Sequence, residues 1–206
     1  MVKEIEIDGT SYTVRIANNS TPEECKNSDF SQTACGFVVE FVDIVETRQM
    51  NSTSTNVGGW PASSMRTYAN GVFFNKLPND LQNVIIDTKV ISGHGSTSGE
   101  TNFTSTDKIY LLSAKEVYID GTSNAISSRD SAYNNTRQLD YYVSKGVTTS
   151  SYTNAIKQNN GSNAIWWLRS AYSNNSIDFL GVRSYGTWAN PTADGGCGFA
   201  PAFRIG

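Results

Sequence analysis

The chain of 206 residues holds one histidine, His94, in the run Ser92-Gly93-His94-Gly95-Ser96. Glycines on both sides suit a mobile loop better than a held general base, and one imidazole cannot build a histidine-rich metal site. Three cysteines, Cys25, Cys35 and Cys197, match no zinc spacing and cannot all pair within one molecule. Cys25 and Cys35 are near enough in sequence to close a short loop in an oxidising compartment; the alternative is three unpaired thiols, some of them buried. A Cys197 nucleophile would need a base to depress its pKa, and the sequence offers no obvious partner. Glu23-Glu24 is the only adjacent acidic pair and reads as solvated turn charge. Gly195-Gly196 has neither the lysine of a phosphate loop nor a Gly-x-Gly-x-x-Gly spacing. This inventory favours recognition over catalysis, with no cofactor and no metal expected.

Composition narrows the class further. Hydrophobic residues are 38% and charged residues 17%, while aromatics reach 11% with 4 Trp, 10 Tyr and 9 Phe. The core must therefore be built on rings as much as on aliphatic chains, beneath a polar but weakly charged surface. A net charge of -3 with scattered Lys and Arg provides no basic stripe, which argues against a nucleic-acid partner. No apolar run is long enough for a membrane span, so no direct membrane insertion is expected. The start, MVKEIEIDG, lacks the apolar stretch of a signal peptide, which leaves open a leader or anchor on a longer precursor. Asn-x-Ser/Thr triplets, as at Asn51, Asn102 and Asn134, arise readily in so polar a chain and carry no glycosylation claim.

The elements that would position any site read as follows. Lys3 to Ile16 alternates apolar residues around Asp8-Gly9, the pattern of an opening β-hairpin. Ala17 to Ala34 reads as loop, and Gly36 to Val45 as a central strand. Ser63 or Ser64 caps a helix carrying Met65, Tyr68, Ala69 and Val72, and Pro78 suits the first position of a second with Leu81, Val84 and Ile85. Strand from Lys89 gives way to loop over Ser92 to Thr106, then the apolar run Ile109 to Leu112. Ser113 and Glu116 form a capping box, and Asn134 to Ser144 could hold a helix with Leu139, Tyr142 and Val143 on one side. The end is β in character: Ala164 to Ser170, Ile177 to Ser184 and Gly198 to Ile205, separated by Asn/Gly/Ser turns. Strands at both ends with helices between them indicate one α+β domain spanning 1–206, with paired terminal strands.

The composition changes abruptly near the C-terminus. Lys, Glu, Gln and Met supply 24 of the first 169 residues and none of those from Ser170 to Gly206. Turn-rich β segments are naturally poor in Lys and Glu, which accounts for part of the gap. A sharper cause is available: these four types, with Trp, cannot be reached from the Asn codon AAC by changing its two adenines. Between Tyr172 and Cys197 every residue except Trp188 is reachable, as adenine-directed mutagenesis of Asn codons would leave it.

Trp166-Trp167-Leu168-Arg169-Ser170, Phe179-Leu180-x-Val182, Gly186-x-Trp188 and Gly198 to Arg204 (GFAPAFR) together resemble the ending of a bacterial C-type-lectin-like domain family of uncharacterised function. Members of that family also serve as variable proteins of diversity-generating retroelements. Gly58 to Asn70, the Leu77-Pro78-x-x-Leu81 step and Thr104 to Val117 are similar to the same family, so the resemblance runs from about Gly36. It implies a C-type-lectin-like fold whose last strands and turns present a ligand-binding face.

Carried over by position, the resemblance makes Trp166, Trp167, Leu168, Arg169, Phe199, Pro201 and Phe203 scaffold. The displayed surface would be Tyr172, Asn174, Asn175, Ile177, Asp178, Arg183, Tyr185, Thr187, Trp188, Asn190, Thr192 and Asp194, types that build adaptable recognition surfaces. No Glu-Pro-Asn or Gln-Pro-Asp triplet occurs, which argues against calcium-dependent sugar binding. The expected function is non-enzymatic recognition of a protein or glycan ligand on a target surface, from a cell surface or a phage particle. A fixed carbohydrate- or protein-binding module of a bacterial surface protein is the alternative. An enzymatic reading is fold-level analogy alone: formylglycine-generating oxidases share the broad fold, and Cys197 lies where they keep reactive cysteines.

Overall fold

Asp8 and Gly9 both take positive φ, 52° and 79°, the primed turn whose twist suits a two-residue hairpin. They join β1 (Val2–Ile7) to β2 (Thr10–Asn18), with Ile5 opposite Tyr12 and Lys3 opposite Val14. The structure, a computed structural model, describes residues 2–206. Along the chain follow β3 (Val38–Phe41), β4 (Glu46–Arg48), α1 (Gly59–Ala62), α2 (Ser64–Tyr68), α3 (Asn79–Val84), β5 (Thr88–Ser92) and β6 (Phe103–Asp107). Then come α4 (Ala114–Val117), α5 (Asp140–Ser144), β7 (Lys157–Asn159), β8 (Ser162–Ala164), β9 (Trp166–Ala171), β10 (Phe179–Val182), β11 (Trp188–Ala189), β12 (Cys197–Phe199) and β13 (Ala202–Arg204). The architecture is one small α+β domain, mostly sheet, with few and short helices.

One sheet runs β1-β2-β3-β13 and a second β11-β10-β9-β12-β4, beside the two-stranded pairs β5-β6 and β7-β8. The terminal strands β1 and β13 share the first sheet but do not pair directly, because β2 and β3 lie between them. Val38, Val39 and Phe41 explain that place: β3 is buried at every position, as only a strand covered on both faces can be. Gly198 to Ile205 is likewise not one strand. The chain leaves the second sheet at Phe199 and enters the first at Ala202, crossing at Pro201, which has no N–H to give a ladder.

Between the sheets lies an aromatic core. Phe73 meets Phe199 edge to face with ring centroids 4.9 Å apart, and Phe41 meets Phe73 at 5.7 Å and Phe203 at 6.5 Å. Ser63 caps α2, its hydroxyl accepting the Arg66 N–H at 3.1 Å. A π turn over Ala69–Phe73 then inserts a residue, so Phe73 turns inward and Val72, expected on the inner face, is exposed. Val143 is exposed too, since it follows the buried Tyr142 by one residue and so points about 100° away around a helix. Part of the expected loop from Ser92 to Thr106 is β6, a polar strand paired with β5. Of the two cysteine alternatives, the structure has the disulfide Cys25–Cys35, leaving Cys197 free and buried.

Candidate functional site

The site rests on β9, whose residues are all buried. Trp166 and Trp167 point to opposite faces, as strand neighbours do, and both are fully covered. The Trp166 indole donates to Ala155 O at 3.0 Å and that of Trp167 to Arg48 O at 2.8 Å, so each ring ties β9 to a different neighbour. Arg169 is fully buried against Glu116, and Ser170 donates its hydroxyl to Asp130. Leu168, Phe199, Pro201 and Phe203 are buried as well. Every residue assigned to the scaffold is therefore inside.

Three turns stand on this platform. Residues 172–178 connect β9 to β10, 183–187 connect β10 to β11, and 190–196 lead into β12. Asn174, Ile177, Arg183, Tyr185, Asn190 and Thr192 are exposed, Tyr185 at 57% and Ile177 at 41%. Tyr172, Asn175, Thr187, Trp188 and Asp194 are half-buried. Tyr172 and Trp188 lie side by side, ring centroids 6.4 Å apart at 40°, and the Trp188 indole donates to Asn124 O at 2.8 Å. The Tyr185 turn needs Gly186, whose φ is 99° and where a Cβ would fall 2.4 Å from Tyr152 O. The Tyr118 hydroxyl donates to Gly186 O from below.

Asp178 departs from the expected display. It is only 5% exposed, and its Oδ2 accepts Asn175 Nδ2 and Asn190 Nδ2, each at 2.7 Å. Asn175 returns the contact through Oδ1, which accepts the N–H groups of Asp178 at 2.9 Å and Ile177 at 3.1 Å. These residues knit two turns together, so the carboxylate belongs to the frame. Asp194 is also engaged: Oδ1 accepts Ser54 Oγ at 2.6 Å, and its carboxyl is held below the usual carboxylate range by the Ser54 and Thr192 side chains.

Burial pushes the Cys197 thiol up to about 12, opposite to the direction that would activate it. His94 turns Nδ1 to the adjacent Gly95 carbonyl at 2.6 Å. Among the described residues no group of three or more His, Cys, Asp or Glu side chains could hold a metal ion. No residue pattern points to Asn56, Gln49 or Tyr118, which secure the turns from elsewhere in the chain through carbonyls of 172–178, Asp194 and Gly186. Their partners lie far away in sequence, and only the fold brings them together.

Residues 38–206 match a family described as a domain of unknown function (DUF6273), and the chain belongs to that family. No curated protein and no solved structure matches the chain. The β1–β2 hairpin and the disulfide loop precede the matched region.

Proposed function

We propose that this protein is a non-enzymatic ligand-recognition domain of C-type-lectin-like fold, the variable protein of a diversity-generating retroelement. Its ligand is a protein or glycan on a target surface, met from a bacterial cell surface or a phage particle. One observation carries the reading: within 172–194 the exposed side chains are concentrated in three turns, while β9 and β10, from which the first two turns rise, are buried throughout. That segment lies within the stretch from Ser170 to Gly206 that has no Lys, Glu, Gln or Met. Exposed Tyr, Arg, Asn and Ile on rigid supports provide contact area and adaptable hydrogen bonding at little cost to the fold. The Cys25–Cys35 disulfide is in keeping with an oxidising, extracytoplasmic setting.

The test replaces Asn174, Ile177, Arg183 and Tyr185 together by Ala, sparing Asn190 because it supports Asp178. Binding to intact target cells and to glycan and protein arrays should be lost at an unchanged melting temperature; retained binding would end the reading. Sequencing the neighbouring DNA separates the diversified domain from a fixed binding module of the same fold. A reverse transcriptase beside an Asn-codon-rich copy of this ending is expected for the first and absent for the second.

A further inference from the structure

The 172–178 turn is held through its main chain by groups that lie outside 172–194. Asn56 Nδ2 donates to Asp178 O at 2.7 Å and Asn175 O at 3.0 Å, with Tyr172 O at 3.4 Å closing the set. The Asn56 N–H reaches Ser176 O at 2.8 Å, and the Ser96 N–H reaches Asn175 O at 2.9 Å. Asn56 is fully buried. Three carbonyls on one side fix its orientation, because a reversed amide would set its oxygen against theirs. Its Oδ1 has no partner, so the residue carries an unsatisfied acceptor in order to place its donors. Gly95 makes room for this arrangement: a Cβ there would lie 2.1 Å from Asn56 Oδ1 and 2.7 Å from Asn175 O.

We propose that Asn56, with Gly95 against it, is the positioning residue of the recognition face, setting the shape of the 172–178 turn from outside the segment. Its acceptors are carbonyls, which every residue type presents alike. Side chains on the turn can then be exchanged while the clamp keeps its partners. The Asp178–Asn175–Asn190 contacts cannot do this, since they exist only while those three side chains are present.

This inference rests on 172–194 being the displayed face, but its test needs no ligand, so it can fail while the binding experiment succeeds. Hydrogen exchange over 172–178 is followed in the full chain by mass spectrometry. Asn56→Asp turns the donors into an acceptor facing three carbonyls, Asn56→Ser removes them with less disturbance, and Gly95→Ala displaces the intact amide. Each should accelerate exchange in 172–178 by about tenfold or more, with β9 unchanged. Leu77→Ala, a core truncation in the connection before α3, should lower the melting temperature and leave 172–178 within about twofold of wild type. A triple exchange on the turn that spares the packed Tyr172, Asn174→Ser with Ser176→Ala and Ile177→Thr, should also stay within about twofold. Unchanged exchange in Asn56→Ser and Gly95→Ala, equal acceleration in Leu77→Ala, or a turn loosened by the triple exchange would overturn the assignment.

Discussion

Arg169 and Glu116 meet through two hydrogen bonds of 2.6 Å, one from each terminal guanidinium nitrogen, and neither side chain has any exposure. The pair joins β9, which leads into the 172–178 turn, to α4. Every polar side-chain atom of the pair itself is engaged. Arg169 also donates to Leu111 O at 2.8 Å, Ile91 O at 3.3 Å and Thr33 Oγ1 at 3.1 Å. Glu116 accepts Thr136 Oγ1 at 3.0 Å and the Ser113 N–H at 2.9 Å, the second being half of the capping box. Burial costs both charges their hydration, and these contacts offset that cost, but either partner left alone is an uncompensated buried charge. Glu116→Ala and Arg169→Ala should each cost about 3–5 kcal/mol in urea denaturation. Arg169→Lys should recover only part of this, because an ammonium cannot reproduce the fork. A cost under about 1 kcal/mol for Glu116→Ala would contradict the role given to the pair.

Acid should act on the fold through Asp140. Burial opposes its ionisation, but the Ser20 hydroxyl, the Asn19 N–H and Arg137 hold its pKa down to about 2, below the ordinary 3.8. A folded-state pKa below the unfolded one gives stability that is present above about pH 3.8 and lost as pH falls through about 2. Asp130 works in the opposite sense: burial raises its pKa against the opposing hydrogen bond from Ser170, so protonation there favours the fold. The melting temperature should fall between pH 4 and pH 2 by a smaller amount in Asp140→Asn than in wild type. Parallel curves for the two proteins would show that Asp140 has no part in the acid response.

The Cys25–Cys35 disulfide spans a sequence separation of 10 and ties down a loop whose Thr33 donates to Glu116. Closing so short a loop is worth roughly 2–3 kcal/mol by chain entropy. Cys25→Ser with Cys35→Ser should lower stability by about that amount. The native protein at pH 8 should resist iodoacetamide altogether, since its one free thiol, Cys197, is buried with a pKa raised to about 12. Unfolding without reductant should release one reactive thiol, and unfolding with reductant three. Alkylation of the folded chain would refute the assignment of Cys197 as a covered thiol.

Local signals in the sequence carried well where the physics is local. Asp8-Gly9 sets its own turn, Ser63 caps α2, and Ser113 with Glu116 closes a capping box, each within a few residues. The scaffold residues came from the family resemblance and not from a local rule, and the structure buries all of them. Errors came where a distant partner decides. Val72 is turned outward by a π turn, and β6 is a strand only because β5 lies beside it. Asp178 has the residue type and turn setting of a displayed carboxylate; its burial follows from two asparagines, one of them 12 residues away. Asn56 is invisible for the same reason, with acceptors 116 to 122 residues further along the chain.

Asp178 separates frame from display, and its neighbours make the comparison internal. Its Oδ2 holds Asn175 and Asn190 at 2.7 Å, while Arg183 and Tyr185, in the adjoining turn, are exposed. Removing the carboxylate leaves two amide groups without their acceptor at a half-buried junction, a loss of about 1.5–3 kcal/mol for hydrogen bonds to a charged group. Arg183→Ala and Tyr185→Ala touch no such junction and should stay within about 0.5 kcal/mol. Asn190→Ala should fall between these values and be non-additive with Asp178→Ala, because the second change removes a contact the first has already broken. Denaturation midpoints of the four single variants and the double variant measure all of this in one series. If Asp178→Ala is as mild as Tyr185→Ala, the carboxylate is not part of the frame, and the two turns are joined through the main chain alone.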